Sequence, residues 1–149
     1  LILLMFIGAS PGSTGGGIKT TTFFALMQQV RAVFTKKKPG GFHRTLPGEA
    51  IDKAGVIALL SVVVVCVGTF LLCVLEPELD FVRLLFEEVS AFGTVGLSTG
   101  ITPDLSVASK LVLIFTMYIG RLGAFTLFSL WIDRPDPSIR YTEEMITIG

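Results

Sequence analysis

The sequence predicts an all-α integral membrane fold in which a short helix and a glycine-bearing strand lie between two bilayer spans. Three observations predict it. Of the 149 residues 51% are hydrophobic and only 16% are charged, against about 25% charged in a soluble domain. The charges are also missing in blocks. Residues 54–75 form an uncharged run, and residues 111–132 form a second of the same length broken only by Arg121; a spanning helix needs roughly 20 such residues. Between the runs, residues 76–110 are too charged to cross a bilayer and too apolar for a plain loop.

The elements follow in chain order. Residues 1–7 are apolar and read as the end of a transmembrane half-helix. The chain is therefore expected to be a fragment, with no initiator Met and no signal-peptide layout. Residues 8–17, Gly-Ala-Ser-Pro-Gly-Ser-Thr-Gly-Gly-Gly, are a composition that no ordinary helix tolerates. A helical pattern resumes over 18–34, a polar turn region covers 35–48, and a helix over 50–75 holds the first span. Asp80 is placed to cap a short helix over 81–92, with Phe81, Leu84, Leu85 and Val89 on one side. Gly93-Thr94-Val95-Gly96-Leu97-Ser98-Thr99-Gly100 permits an extended strand, Pro103 ends it, and a helix over 105–132 spans back. Non-helical backbone at membrane depth is tolerated only where protein buries it or a water-filled cavity faces it. Residues 76–110 are accordingly expected to form a re-entrant hairpin.

Charge sets the orientation. Residues 19–53 carry Lys19, Arg31, Lys36, Lys37, Lys38, Arg44 and Lys53 against Glu49 and Asp52. Residues 76–104 carry Glu76, Glu78, Asp80, Glu87, Glu88 and Asp104 against Arg83. The positive-inside rule puts the first stretch and the C-terminus in the cytoplasm and the second outside. Cys66 and Cys73 lie two turns apart on one helix, too far for a disulfide, and read as small apolar side chains. His43 reads as a solvated loop histidine and Lys110 as an interfacial anchor. With one loop histidine and two membrane cysteines, no nucleophilic catalytic set can be assembled, and the chain is not expected to be an enzyme. The run Gly12–Thr20 is a decoy for a phosphate loop, because Ile18 separates Gly17 from Lys19 where the motif needs Gly-Lys-Ser/Thr contiguous.

A potassium ion that sheds its water needs oxygens in exchange. Backbone carbonyls of an extended strand supply them where glycine relieves unusual dihedrals, and Thr94-Val95-Gly96 has that composition. The short helix before it would point its partly negative C-terminus at the cation. Glu87 and Glu88 would either add negative charge at the outer mouth or support the strand from behind. A secondary active transporter also uses broken helices around ions, but would need an ionisable or substrate-shaped midplane site.

The run Ser90–Gly100 resembles the fourth pore loop of the Trk/Ktr/HKT superfamily of potassium-uptake transporters. Phe6–Thr22 resembles the inner helix of that family's third repeat. Tyr118-Ile119-Gly120-Arg121-Leu122-Gly123 resembles the inner helix of the fourth, and Tyr141–Gly149 is similar to the C-terminus of Ktr-type membrane subunits.

The resemblance implies helix–pore loop–helix repeats of potassium-channel type. Residues 1–34 would be the inner helix of the third repeat, broken by a gating loop over 8–17, and 35–53 a cytoplasmic linker. Residues 54–132 would be the fourth repeat, with pore helix 81–92 and filter 94–98, and 133–149 a cytoplasmic tail. It assigns Thr94, Val95, Gly96, Leu97 and Ser98 to the selectivity filter, with K+ at the first three. It assigns Ser10, Gly12, Ser13, Thr14, Gly15, Gly16, Gly17 and Arg121 to gating. Arg121 is expected near mid-bilayer, hydrogen-bonded to the 10–17 loop as an electrostatic barrier below the filter.

The expected function is channel-like uptake of K+, with a sodium-permeable or sodium-coupled transporter as the alternative. The chain itself would hold no cofactor beyond the transported ion. Its expected setting is the bacterial plasma membrane, as a multi-pass homodimer on a cytoplasmic ring of nucleotide-binding subunits (TrkA/KtrA-like) that take ATP/ADP or NAD(H). The basic loop and tail would meet that ring, or Lys36–Lys38 the lipid headgroups. No nucleic-acid partner is expected.

Overall fold

The computed structural model describes residues 1–35, 40–41, 44–45 and 47–123. The expectations for Lys36–Lys38, His43, the end of the second span over 124–132 and the tail over 133–149 lie outside them.

Helix α1 covers Ile2–Phe6 and α2 covers Thr20–Thr35. The glycine-rich stretch between them is non-helical. At its base Ile7 and Ile18 pair in a parallel bridge. The Gly8 N–H donates to the Ile18 carbonyl at 2.7 Å, and the Ile18 N–H to the Phe6 carbonyl at 3.2 Å. Parallel pairing means that the chain leaves this loop heading as it entered. The break is an excursion from an interrupted helix, not a turn between antiparallel helices. Within the expected turn region β1, Gly40–Gly41, pairs antiparallel with β2, Arg44–Thr45, placing Gly40 opposite Thr45.

Helix α3 runs Gly48–Leu75, 28 residues, or about 42 Å at 1.5 Å per residue. Among the described residues it is the one helix long and apolar enough to cross a membrane. Its buried stripe is Ile51, Ala54, Ser61, Val65, Gly68, Thr69 and Leu72. Its other faces are as apolar, with Leu59, Val63, Phe70 and Val74 exposed. A helix apolar all round belongs in a bilayer or inside a larger protein.

Helix α4 covers Phe81–Gly93 and α5 covers Val107–Leu122. With α3 they enclose two clusters. Leu72, Leu84, Ala91, Ile101, Leu105 and Leu113 form one. Met5, Ile18, Val65, Val89 and Phe92 form the other, which seats α1 and the loop base against α4.

Three sequence expectations are corrected here. Asp80 stands at the start of α4, but its side chain makes no cap bond; the carboxylate sits 3.6 Å from Arg83 Nε on the exposed side. Helix α5 begins at Val107 rather than 105, because the Ser106 Oγ accepts from the Ser109 N–H at 3.3 Å and caps it. As described, α5 then ends at Leu122, where Gly123 turns to φ +86°. Arg121 therefore stands in the last turn of this helix, not halfway along it.

Glu76 joins the far ends of α3 and α5. Its Oε1 accepts from the Ser106 N–H and the Ser109 hydroxyl, both at 2.7 Å. The Ser106 amide, then the serine hydroxyls, hold its carboxyl below the usual range, and the charge complements the positive N-terminus of α5. Both cysteines are free thiols, Cys66 exposed and Cys73 half-buried.

Candidate functional site

Helix α4 ends in a cap that normally takes glycine. The Thr94 N–H donates to the Ala91 carbonyl and the Val95 N–H to the Ser90 carbonyl, both at 3.0 Å. This bonding leaves the residue after the helix left-handed. That residue is Thr94, at φ +51°, alone among the described non-glycine residues at positive φ. A left-handed non-glycine residue costs on the order of 1–3 kcal/mol and persists where the surroundings hold it. Here the holder is the glycine-rich loop, whose Gly16 N–H donates to the Thr94 Oγ1 at 2.8 Å. A Cβ on Gly16 would stand 2.9 Å from the Thr94 methyl and 3.0 Å from the Phe92 carbonyl. Glycine is what allows the loop and the segment after α4 to meet.

From Val95 to Gly100 the chain is non-helical and exposed, with Gly96 and Gly100 at φ +82° and +89°. The oxygen donors along it are backbone carbonyls and hydroxyls. Its support comes from Glu87 on α4, whose Oε1 accepts from the Ser98 hydroxyl at 2.7 Å, the Thr99 N–H at 2.7 Å and the Thr99 hydroxyl at 3.1 Å. The Oε2 accepts from the Thr102 hydroxyl at 2.9 Å.

The neighbouring Glu88 does something else. Consecutive helical residues do not share a face, and Glu88 turns the other way, fully buried between α3 and α5. It accepts from the Thr116 hydroxyl at 2.8 Å, and its carboxyl fills the space that a side chain on Gly68 would take. Of the two roles the sequence allowed for these glutamates, Glu87 takes support from behind. Glu88 braces the helices instead.

The loop's own tie is Lys19. Its Nζ donates to the Gly15 carbonyl at 2.7 Å and the Ser13 carbonyl at 3.5 Å. The bonds expected of Arg121 are thus made by Lys19, and among the described residues Arg121 has no hydrogen bond to the loop. Arg121 does share a cavity of about 220 Å³ with Gly17, Lys19, Ser61 and Phe92. Ser10, Gly12, Ser13 and Thr14 form the exposed tip, while Gly16 is buried at the base beside Thr94. At Gly120 the Phe92 carbonyl packs directly over the α-carbon, leaving no room for a side chain. Thus the C-terminal end of α4 is pinned between the loop and α5.

The TrkH model, described as cation transport protein, matches residues 1–139. The chain belongs to this family. It is 39% identical over 99% of its length to the Ktr system potassium uptake protein B of Bacillus subtilis, and spans 33% of that protein. It is 41% identical to the potassium/sodium uptake protein NtpJ of Enterococcus hirae, over 99% of this chain and 34% of NtpJ. Its identity to the Ktr system potassium uptake protein B of Vibrio alginolyticus is 39%, over all of this chain and 33% of that one. The chain therefore spans about a third of the length of these three relatives.

Proposed function

We propose that this chain is the C-terminal part of a membrane subunit that carries K+ into the cell through a channel-like pore. Thr94, Val95, Gly96, Leu97 and Ser98 are one strand of its selectivity filter, and α4 is the pore helix. The loop over 8–17 is the gate. The observation that carries the reading is the joint at Thr94, where a left-handed threonine at the end of a short helix meets the buried base of a glycine-rich loop. Strain held by tertiary contacts points to function, and exposed, carbonyl-bearing backbone beyond it suits dehydration of a cation. Family membership and the potassium uptake named for its relatives support K+ as cargo. The name of NtpJ supports Na+ permeation as the second reading.

Arg121 and Lys19 stand on one cavity with the loop base and supply positive charge below the filter, where they slow cation flow. The basic stretch 19–53 faces the cytoplasm by the positive-inside rule. A second copy and a cytoplasmic nucleotide-binding ring complete the assembly. The relatives' naming as parts of a Ktr system supports a multi-component complex.

The test is cation uptake by the full-length subunit in cells lacking other K+ uptake. Gly96 holds φ +82° with open space around it, so Gly96→Ala strains the strand without a clash, by about 1 kcal/mol or more. Rb+ uptake should fall and Na+ entry rise relative to it. An unchanged ratio refutes the filter assignment.

A further inference from the structure

Residues 95–102 lack what usually holds an extended segment, since no partner strand flanks them among the described residues. From Ser98 onward their hydrogen bonds to α4 converge on one side chain. Glu87 accepts from Ser98, from Thr99 twice and from Thr102, and it is 5% exposed. Ser98 then links onward, its hydroxyl accepting from the Gly100 N–H at 2.9 Å and lying 2.8 Å from that of Thr102. The Thr99 N–H can only donate and the three hydroxyls are able to, which suits a carboxylate as the shared acceptor. Charge-assisted bonds of this kind are roughly twice as strong as neutral ones.

Behind the strand lies a cavity of about 330 Å³, lined by Glu87, Ser90, Thr94, Leu97, Leu113 and Met117. The strand is thus not backed by close packing along its length. It hangs between Thr94 at the loop and its far end, where the Glu87 carboxylate holds it and Ile101 packs into the first core cluster.

We infer that Glu87 is the positioning residue that fixes the spacing of the filter oxygens, and through it the discrimination of K+ from the smaller Na+. The inference rests on the filter reading above. Carbonyls that cannot close in leave a small ion under-coordinated; carbonyls released from their anchor can follow it. Glu87 touches no ion in this role and acts through Ser98, Thr99 and Thr102.

The experiment compares Rb+ and Na+ uptake by the full-length subunit in cells lacking other K+ uptake, for four variants. Glu87→Gln keeps the shape but turns one acceptor into a donor, and should raise the Na+-to-Rb+ ratio about tenfold, as the loss of one charged hydrogen bond implies. Glu87→Asp keeps the charge but withdraws it by one methylene. It too should lose discrimination, whereas a carboxylate acting only through charge at the pore mouth would be rescued by it. The double variant Ser98→Ala with Thr102→Val removes donors without touching Glu87 and should move the ratio the same way, which keeps the test open should the Glu87 variants fail to reach the membrane. Gly96→Ala is the control. A shifted ratio for Gly96→Ala beside unchanged ratios for Glu87→Gln and the double variant overturns the positioning role and spares the filter. Unchanged ratios throughout overturn the filter reading itself.

Discussion

Two glycine-rich stretches meet at Thr94, and they are held in opposite ways. Residues 94–102 are pinned at the end far from Thr94 by a buried carboxylate from another element. Among the described residues, 8–17 are fixed at the base, by the pairing of Ile7 with Ile18 and by the Gly16 N–H on the Thr94 hydroxyl. Beyond that base the ties among the described residues come from within the loop or its flank: Ser13 N–H to the Ser10 carbonyl, Gly15 N–H to the Ser13 hydroxyl, and Lys19 Nζ to the Gly15 carbonyl. The tip from Ser10 to Thr14 is exposed. Local stability follows buried contacts and anchored hydrogen bonds. Similar composition therefore serves a segment built to keep its shape and another whose tip can be displaced cheaply.

The comparison can be broken most severely where the two regions touch. Gly16→Val forces methyl groups against Thr94 and the Phe92 carbonyl, and overpacking of this kind costs about 1–3 kcal/mol. It should uncouple loop from strand and lower Rb+ uptake at least about tenfold; normal uptake would mean that the contact is not used. The next effect concerns the loop's cationic neighbour. Arg121→Ala removes a charge from the shared cavity, and if that charge contributes about 1 kcal/mol to the barrier, uptake should quicken about fivefold. Uptake at the level of the unsubstituted subunit would remove Arg121 from gating.

The smallest effect sharpens the contrast between tip and anchor. Ser13→Ala removes an exposed bond and should stay within about 0.5 kcal/mol in thermal denaturation. Ser98→Ala removes a bond to the carboxylate and should cost about 1–2 kcal/mol. Equal losses would mean that the two regions are held alike.

Much of the fold was legible because the bilayer leaves few options. The uncharged run at 54–75 could be little but a helix, and the Gly-Pro-Gly composition of 8–17 had to break one. The non-helical stretch after 93 was readable from Gly96, Gly100 and Pro103. Less legible was anything decided by tertiary partners. Glu87 and Glu88 look identical in sequence; one residue of helical rotation sends the first to the strand and the second to Gly68 and Thr116. Lys19 anchors the loop carbonyls because it lies four residues beyond Gly15, whereas Arg121 stands out in the sequence as the lone charge in an apolar run. That run also hid Gly123, whose positive φ places Arg121 in a final turn. The roles of Gly68 and Gly120 are invisible without knowing which group approaches them. Their one sequence signal is a glycine inside a helical pattern, which calls for a close neighbour.

The central claim is that the carbonyls of Thr94, Val95 and Gly96 replace the hydration shell of a passing monovalent cation. The direct measurement is anomalous diffraction from crystals of the full-length subunit grown with Tl+ in place of K+. The account predicts Tl+ density within about 3 Å of these oxygens, lost when Na+ replaces Tl+. Tl+ density elsewhere in the pore, with none at these oxygens, would contradict it.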